Sequence, residues 1–76
     1  MSAHLLPAIK ARQVIKVLKK LEFEEVRQKG SHVFFQHADG RVTVVPVHRG
    51  EDLGRGLLRQ IIRDIEIQPK EFLNLL

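Results

Sequence analysis

The chain has 76 residues, 43% of them hydrophobic, enough for one small core and well above the range of a disordered segment. Its formal charge of +4, thirteen Lys and Arg against nine Asp and Glu, favours polyanionic partners: nucleic acid or an acidic protein face. The absence of cysteine excludes disulfides, thiolate metal sites and a cysteine nucleophile, and no apolar run approaches the roughly 18 residues of a membrane span.

The first residues lack the layout of a secretory leader, so a cytoplasmic protein without a membrane partner is expected. No repeat, linker or low-complexity tract interrupts the sequence, which predicts one domain over residues 1–76. With four Phe and no Trp or Tyr, an aromatic platform for stacking single-stranded bases is not expected.

In chain order, Met1 to Leu6 reads as a loose arm, and Pro7 suits the first turn of a helix. From Pro7 to about Glu22, the residues Ala11, Val14, Ile15, Leu18 and Leu21 recur with helical spacing and form one apolar face. Lys10, Arg12, Lys16, Lys19 and Lys20 fall mainly off that stripe, as a solvated surface or a phosphate-tracking edge. Phe23 to Lys29 reads as a first strand, in which Phe23 and Val26 can share a face only through a bulge.

Gly30-Ser31 breaks that strand, and His32 to Ala38 follows as a second. Asp39-Gly40 is the signature of a two-residue hairpin turn, from which Arg41 to Val47 returns as a third strand. That turn would pair Ala38 with Arg41, Phe35 with Val44 and His32 with Val47. One face would then carry Val33, Phe35, Val42, Val44 and Pro46 against the helices. The other would carry His32, Phe34, Gln36, Thr43, Val45 and Val47, with Phe34, Val45 and Val47 as an exposed apolar patch. Pro46 marks an edge strand or a strand end.

Gly50 and Gly54 bracket the start of a second helix, whose stripe of Leu53, Leu57, Leu58, Ile61, Ile62 and Ile65 is the strongest periodic signal in the chain. Arg55, Arg59 and Arg63 form a second, solvated row on it, and Pro69 starts a short last helix. The predicted class is therefore α+β. Its order is α-β-β-β-α with a short C-terminal helix, as a three-stranded antiparallel sheet with helices on one face. Double-stranded-RNA-binding domains share this order.

The chemistry gathers at Arg27-Gln28-Lys29-Gly30-Ser31-His32. An imidazole can take the proton of a ribose 2′-hydroxyl, and RNA supplies that nucleophile itself, so cleavage needs a base and fixed positive charge but no metal or other cofactor. His32 is the candidate base. Lys29, Arg27 and Arg41 are the candidate phosphate cations, with Ser31 as a hydrogen-bond donor beside the permissive Gly30 turn. The general acid is His48 or Lys29. The competing reading makes His32 a strand-start histidine bonded to a nearby loop. His37 is read as structural, His4 as part of the arm without a role, and no metal-ligand spacing is present.

The segments Gln28-Lys29-Gly30-Ser31-His32, His37-Ala38-Asp39-Gly40-Arg41 and Val45-Pro46-Val47-His48 resemble successive motifs of the HicA family of mRNA interferase toxins. So do Leu53-Gly54-Arg55-Gly56, Leu58-Arg59-Gln60-Ile61-Ile62 and the closing Glu71-Phe72-Leu73-Asn74-Leu75-Leu76. The resemblance implies a double-stranded-RNA-binding-like fold, metal-independent cleavage of mRNA, a HicB antitoxin as protein partner, and a catalytic histidine in the Gly-Ser-His motif, hence His32. Many family members carry a second histidine directly after the first, where this chain has Val33. Ala38 stands for a common proline, Leu57 for a common threonine, and Ile65-Glu66-Ile67 for a frequent Ala-Gly pair.

Two further functions fit the same residues. A non-catalytic RNA-binding module would show salt-dependent binding without product, although Arg55 and Arg59 beside Glu51 and Asp52 make a poor phosphate clamp. A protein-interaction domain would use the mixed sheet face for a partner only.

Overall fold

The computed structural model describes residues 6–76, so the sequence-based expectations for Met1–Leu5, including His4, lie outside the described residues. The first element is not the helix that the spacing predicts from Pro7. A two-residue strand, β1 (Ile9–Lys10), pairs antiparallel with β5 (Asp52–Leu53), aligning Ile9 with Leu53 and Lys10 with Asp52. Helix α1 then spans Ala11–Lys20. The Gln13 side chain accepts the Lys10 backbone N–H at 2.9 Å, satisfying a donor at the helix start. Leu6 does not belong to a free arm: it is 2% exposed and part of the core.

Helix α1 ends in a Schellman arrangement. Phe23 N–H donates to the Leu18 carbonyl at 2.9 Å and Glu22 N–H to the Lys19 carbonyl at 3.0 Å, with Glu22 held at φ 69°. Leu18 and Phe23 are both buried, so the apolar contact that usually accompanies this motif is present. The sheet follows as β2 (Glu24–Lys29), β3 (His32–Gln36) and β4 (Val42–Pro46), in that spatial order and antiparallel throughout. A bulge between Glu25 and Arg27 accommodates Val26, which points into solvent, whereas Phe23 is buried ahead of the strand.

The β3–β4 connection is longer by one residue than a two-residue turn. His37 and Arg41 close it, with His37 N–H donating to the Arg41 carbonyl and Gly40 N–H to the His37 carbonyl, each at 2.9 Å. Ala38, Asp39 and Gly40 form the loop, and Gly40 at φ 102° takes the left-handed position of a three-residue hairpin. The extra residue slips the register: His32 faces Pro46, Phe34 faces Val44 and Phe35 faces Thr43.

A slip of one reverses the faces of β4. Val33 and Phe35 point to the helices as expected, but their partners there are Thr43 and Val45, not Val42, Val44 and Pro46. Thr43 is 3% exposed and its hydroxyl donates to Asp64 Oδ2 at 3.0 Å, which makes its burial tolerable. The expected apolar patch of Phe34, Val45 and Val47 is corrected accordingly. Val45 is fully buried and Val47 packs on the core, while Val42, Val44 and Pro46 join Phe34 outside.

Helices α2 (Arg55–Asp64) and α3 (Pro69–Asn74) complete the core, with Leu58, Ile61, Ile62, Ile65 and Phe72 buried. Both α1 and α2 pack against β4, leaving the opposite sheet face uncovered, and α3 packs on α2. Arg59 departs from the solvated row expected of it. It is half-buried, and its Nε is enclosed without a partner among the described residues. None of the described helices is long and apolar enough to cross a membrane.

Candidate functional site

The β2–β3 hairpin builds the site. Lys29 and His32 are cross-strand partners joined by Gly30 and Ser31 alone. Gly30 lies at φ 58° while Ser31 keeps a negative φ, the pattern of a type II′ turn, whose first position favours glycine. A Cβ on Gly30 would meet nothing within 4 Å, so the constraint is backbone conformation and not crowding. Gln28 Nε2 donates to the Gly30 carbonyl at 3.1 Å, and Val47 N–H donates to the Ser31 carbonyl at 2.7 Å, tying the turn to the end of β4.

That last bond makes His32 and Pro46 a non-hydrogen-bonded pair, the type in which opposing side chains approach most closely. The ring nitrogen of Pro46 then faces the free edge of β4, where a missing donor costs no ladder bond. His32 is exposed on the uncovered face, and among the described residues no group hydrogen-bonds its ring. The alternative of a strand-start histidine tied to a loop therefore finds no partner there.

Lys29 shares the face of His32. Arg27, opposite Phe34, lies with its guanidinium carbon 4.8 Å from the centre of that ring, a cation–π contact that fixes the charge over the sheet. The hairpin thus brings together Lys29, Arg27 and His32. Ser31 is half-buried within the turn, its carbonyl already engaged. His48 follows two residues after Pro46 and is exposed at the same end of the sheet. The residue after His32 points inward: Val33 is buried, so position 32 is the one of the two that solvent reaches.

Arg41 is not part of this group. It stands beyond the far end of β3, where its Nε donates to both carboxylate oxygens of Asp39 at 3.1 and 2.9 Å and its Nη1 donates to the Ile65 carbonyl. Its guanidinium also lies 5.1 Å from the centre of the Phe23 ring. The bonded guanidinium holds the Asp39 carboxyl below the usual carboxylate range, and Asp39 in turn raises Arg41 above its ordinary value. Arg41 therefore ties the hairpin to the end of α2. His37 is structural as expected: its Nδ1 accepts the Asp39 N–H at 3.0 Å and its ring meets Phe23 edge-on.

Among the described residues no three His, Cys, Asp or Glu side chains cluster as metal ligands. What the sequence reading missed is the outward set Val42, Val44 and Pro46. The available signal was the Ala38-Asp39-Gly40 triplet, which fits a three-residue loop as well as Asp39-Gly40 fits a two-residue one.

This architecture, a three-stranded antiparallel sheet with helices on one face and an open face bearing an imidazole beside two cations, is of the double-stranded-RNA-binding type. The family model described as the HicA toxin of bacterial toxin-antitoxin systems matches residues 11–67. The chain belongs to the HicA toxin family. No curated protein matches it.

Proposed function

We propose that this toxin is a cytoplasmic endoribonuclease that cuts mRNA with His32 as general base. The observation that carries the reading is the exposed, unpartnered His32 opposite Lys29, with Arg27 on the same face. In the reaction His32 takes the 2′-hydroxyl proton and the 2′-oxygen bonds to the adjacent phosphorus. The bond from phosphorus to the 5′-oxygen breaks, leaving a 2′,3′-cyclic phosphate and a 5′-hydroxyl. Lys29 and Arg27 stabilise the charge that builds on the phosphoryl oxygens. The leaving oxygen receives its proton from His48 or Lys29. No step requires a metal.

A HicB-type antitoxin fits as the protein partner. The open face offers it Phe34, Val44 and Pro46 beside the cations, so covering that face would bury apolar area and block His32 together.

The test is cleavage of a structured mRNA by the purified chain beside His32→Ala, with EDTA present. The alanine variant should keep its fold and RNA affinity while losing at least about a hundredfold in rate, the usual contribution of a general base. A substrate with a 2′-deoxy group at the scissile position should resist. Cleavage by His32→Ala at the parent rate would remove the assignment, and loss of wild-type activity in EDTA would replace it with metal chemistry.

A further inference from the structure

Beyond His32, the loop after β4 folds back over the start of α1. Gly50, at φ 82°, turns it, and Glu51 N–H donates to the His48 carbonyl at 3.1 Å. Lys10 clamps it from β1, with Nζ donating to the Gly50 carbonyl at 3.1 Å and pairing with Asp52 at 2.9 Å. Between this braced loop and the helix lies a cavity of about 460 Å³, whose polar lining includes Arg12, His48 and Arg49.

The charges around it do not cancel. Asp52 neutralises Lys10, and Glu51 is the one carboxylate among the described residues of the lining. Arg12 and Arg49 have no ion-pair partner among the described residues. Val47 is a wall of the cavity and also donates to the Ser31 carbonyl, so the cavity begins next to the turn that carries His32. The two unpaired guanidiniums of Arg12 and Arg49 in the lining suit an oxyanion, which a guanidinium can hold through two parallel N–H bonds.

We infer that this cavity is a second phosphate subsite, taking an RNA phosphate that flanks the scissile one, with Arg12 and Arg49 as its ligands. It rests on the reading of His32 as the cleavage centre. It explains how a face with Lys29 and Arg27 beside the imidazole would hold a polynucleotide in register, and it assigns a use to Arg12 in the first turn of α1.

The experiment is fluorescence-anisotropy binding of a 2′-O-methyl oligoribonucleotide, which lacks the attacking hydroxyl, across a potassium chloride series. The full chain is compared with Arg12→Ala, Arg49→Ala, the double variant, and Lys70→Ala on α3 as a control. All three positions are exposed, so the fold should persist, as circular dichroism would verify. At about 0.7 of salt slope per single-strand contact, the double variant should lose about 1.4 in slope and about tenfold in affinity near physiological salt. Lys70→Ala should match the parent.

A double variant with the parent's slope would overturn the subsite. So would polyglutamate displacing the oligonucleotide as well as unlabelled RNA of equal charge does, since the cavity would then not select phosphate. Because the probe cannot be cut, these results stand whether or not the chain cleaves RNA, and a failed cleavage assay would fall on His32 alone.

Discussion

The contact that decides which side of β4 faces solvent can be tested directly. Thr43 is the buried polar residue of the core, and its Oγ1 donates to Asp64 Oδ2 at 3.0 Å, while Gln60 Nε2 holds Asp64 Oδ1 at 2.9 Å. Asp64→Ala leaves the Thr43 hydroxyl enclosed without its acceptor, at a cost of about 1–3 kcal/mol. Thr43→Val removes the donor and substitutes a methyl of similar size. Asp64 is half-exposed and keeps Gln60, so the cost should be about 1 kcal/mol or less. The double variant should cost less than the sum of the two, with a coupling of about 1–2 kcal/mol.

Urea denaturation followed by circular dichroism reads these differences, and for a domain of this size about 1 kcal/mol moves the thermal midpoint by roughly 4–8 °C. The reasoning fails if the two single costs add within about 0.5 kcal/mol, because the bond would then not couple β4 to α2. It fails equally if Thr43→Val destabilises more than Asp64→Ala.

Other substitutions report on separate parts of the fold. Val42, 58% exposed, should accept lysine within about 0.5 kcal/mol, whereas Val45→Lys buries an unpaired ammonium and should abolish the folded circular-dichroism spectrum; equal effects would mean the register is wrong. Leu6→Ala should cost about 2–4 kcal/mol by thermal melt, and a change below about 0.5 kcal/mol would return Leu6 to a free arm. Glu22→Gly relieves a left-handed residue at a helix end and should raise stability by about 0.5–1 kcal/mol; a lower melting temperature would show that Glu22 is not strained.

Asp39 supplies the pH dependence. Its folded carboxyl titrates below the ordinary value of about 3.9, so the stabilisation is present above that pH and is lost as pH falls through the lower folded value. Asp39→Asn should therefore melt below the parent at neutral pH and close the gap in strong acid; a gap independent of pH would exclude the Arg41 pairing as its source.

Much of the molecule was legible because its patterns were unambiguous. The leucine and isoleucine stripe of α2 has one helical solution, Pro69 starts α3, and the sheet order follows from short connections. His32 was assigned to the open face correctly although the expected register was wrong. Val33 and Phe35 outweigh their neighbours on β3, so that strand's orientation needs no partner to fix it.

The misreadings differ in cause: the register of β4 turned on a local loop, and others on longer-range contacts. Pro7 to about Glu22 reads as one helix, yet Ile9 and Lys10 form a strand because Leu53 and Asp52 lie beside them. Arg41 looked like a free cation near His32, but it closes the opposite end of the hairpin, bonded to Asp39 two residues away and to the Ile65 carbonyl twenty-four residues on. The β1–β5 pairing and the bond to Ile65 are too distant in sequence for any local window to contain, whereas the Asp39 pair is local.

By itself the sequence determined the helices that cover the sheet, a tight turn at Gly30-Ser31 and the outward direction of His32, since each rests on residues within one or two turns of chain. Only the tertiary structure decided which side of Val42-Thr43-Val44-Val45 faces water. Alternation discriminates between faces only when their polarities differ, and here both are β-branched, so one hydroxyl bonded to an aspartate on α2 and one extra residue in a hairpin loop tip the choice.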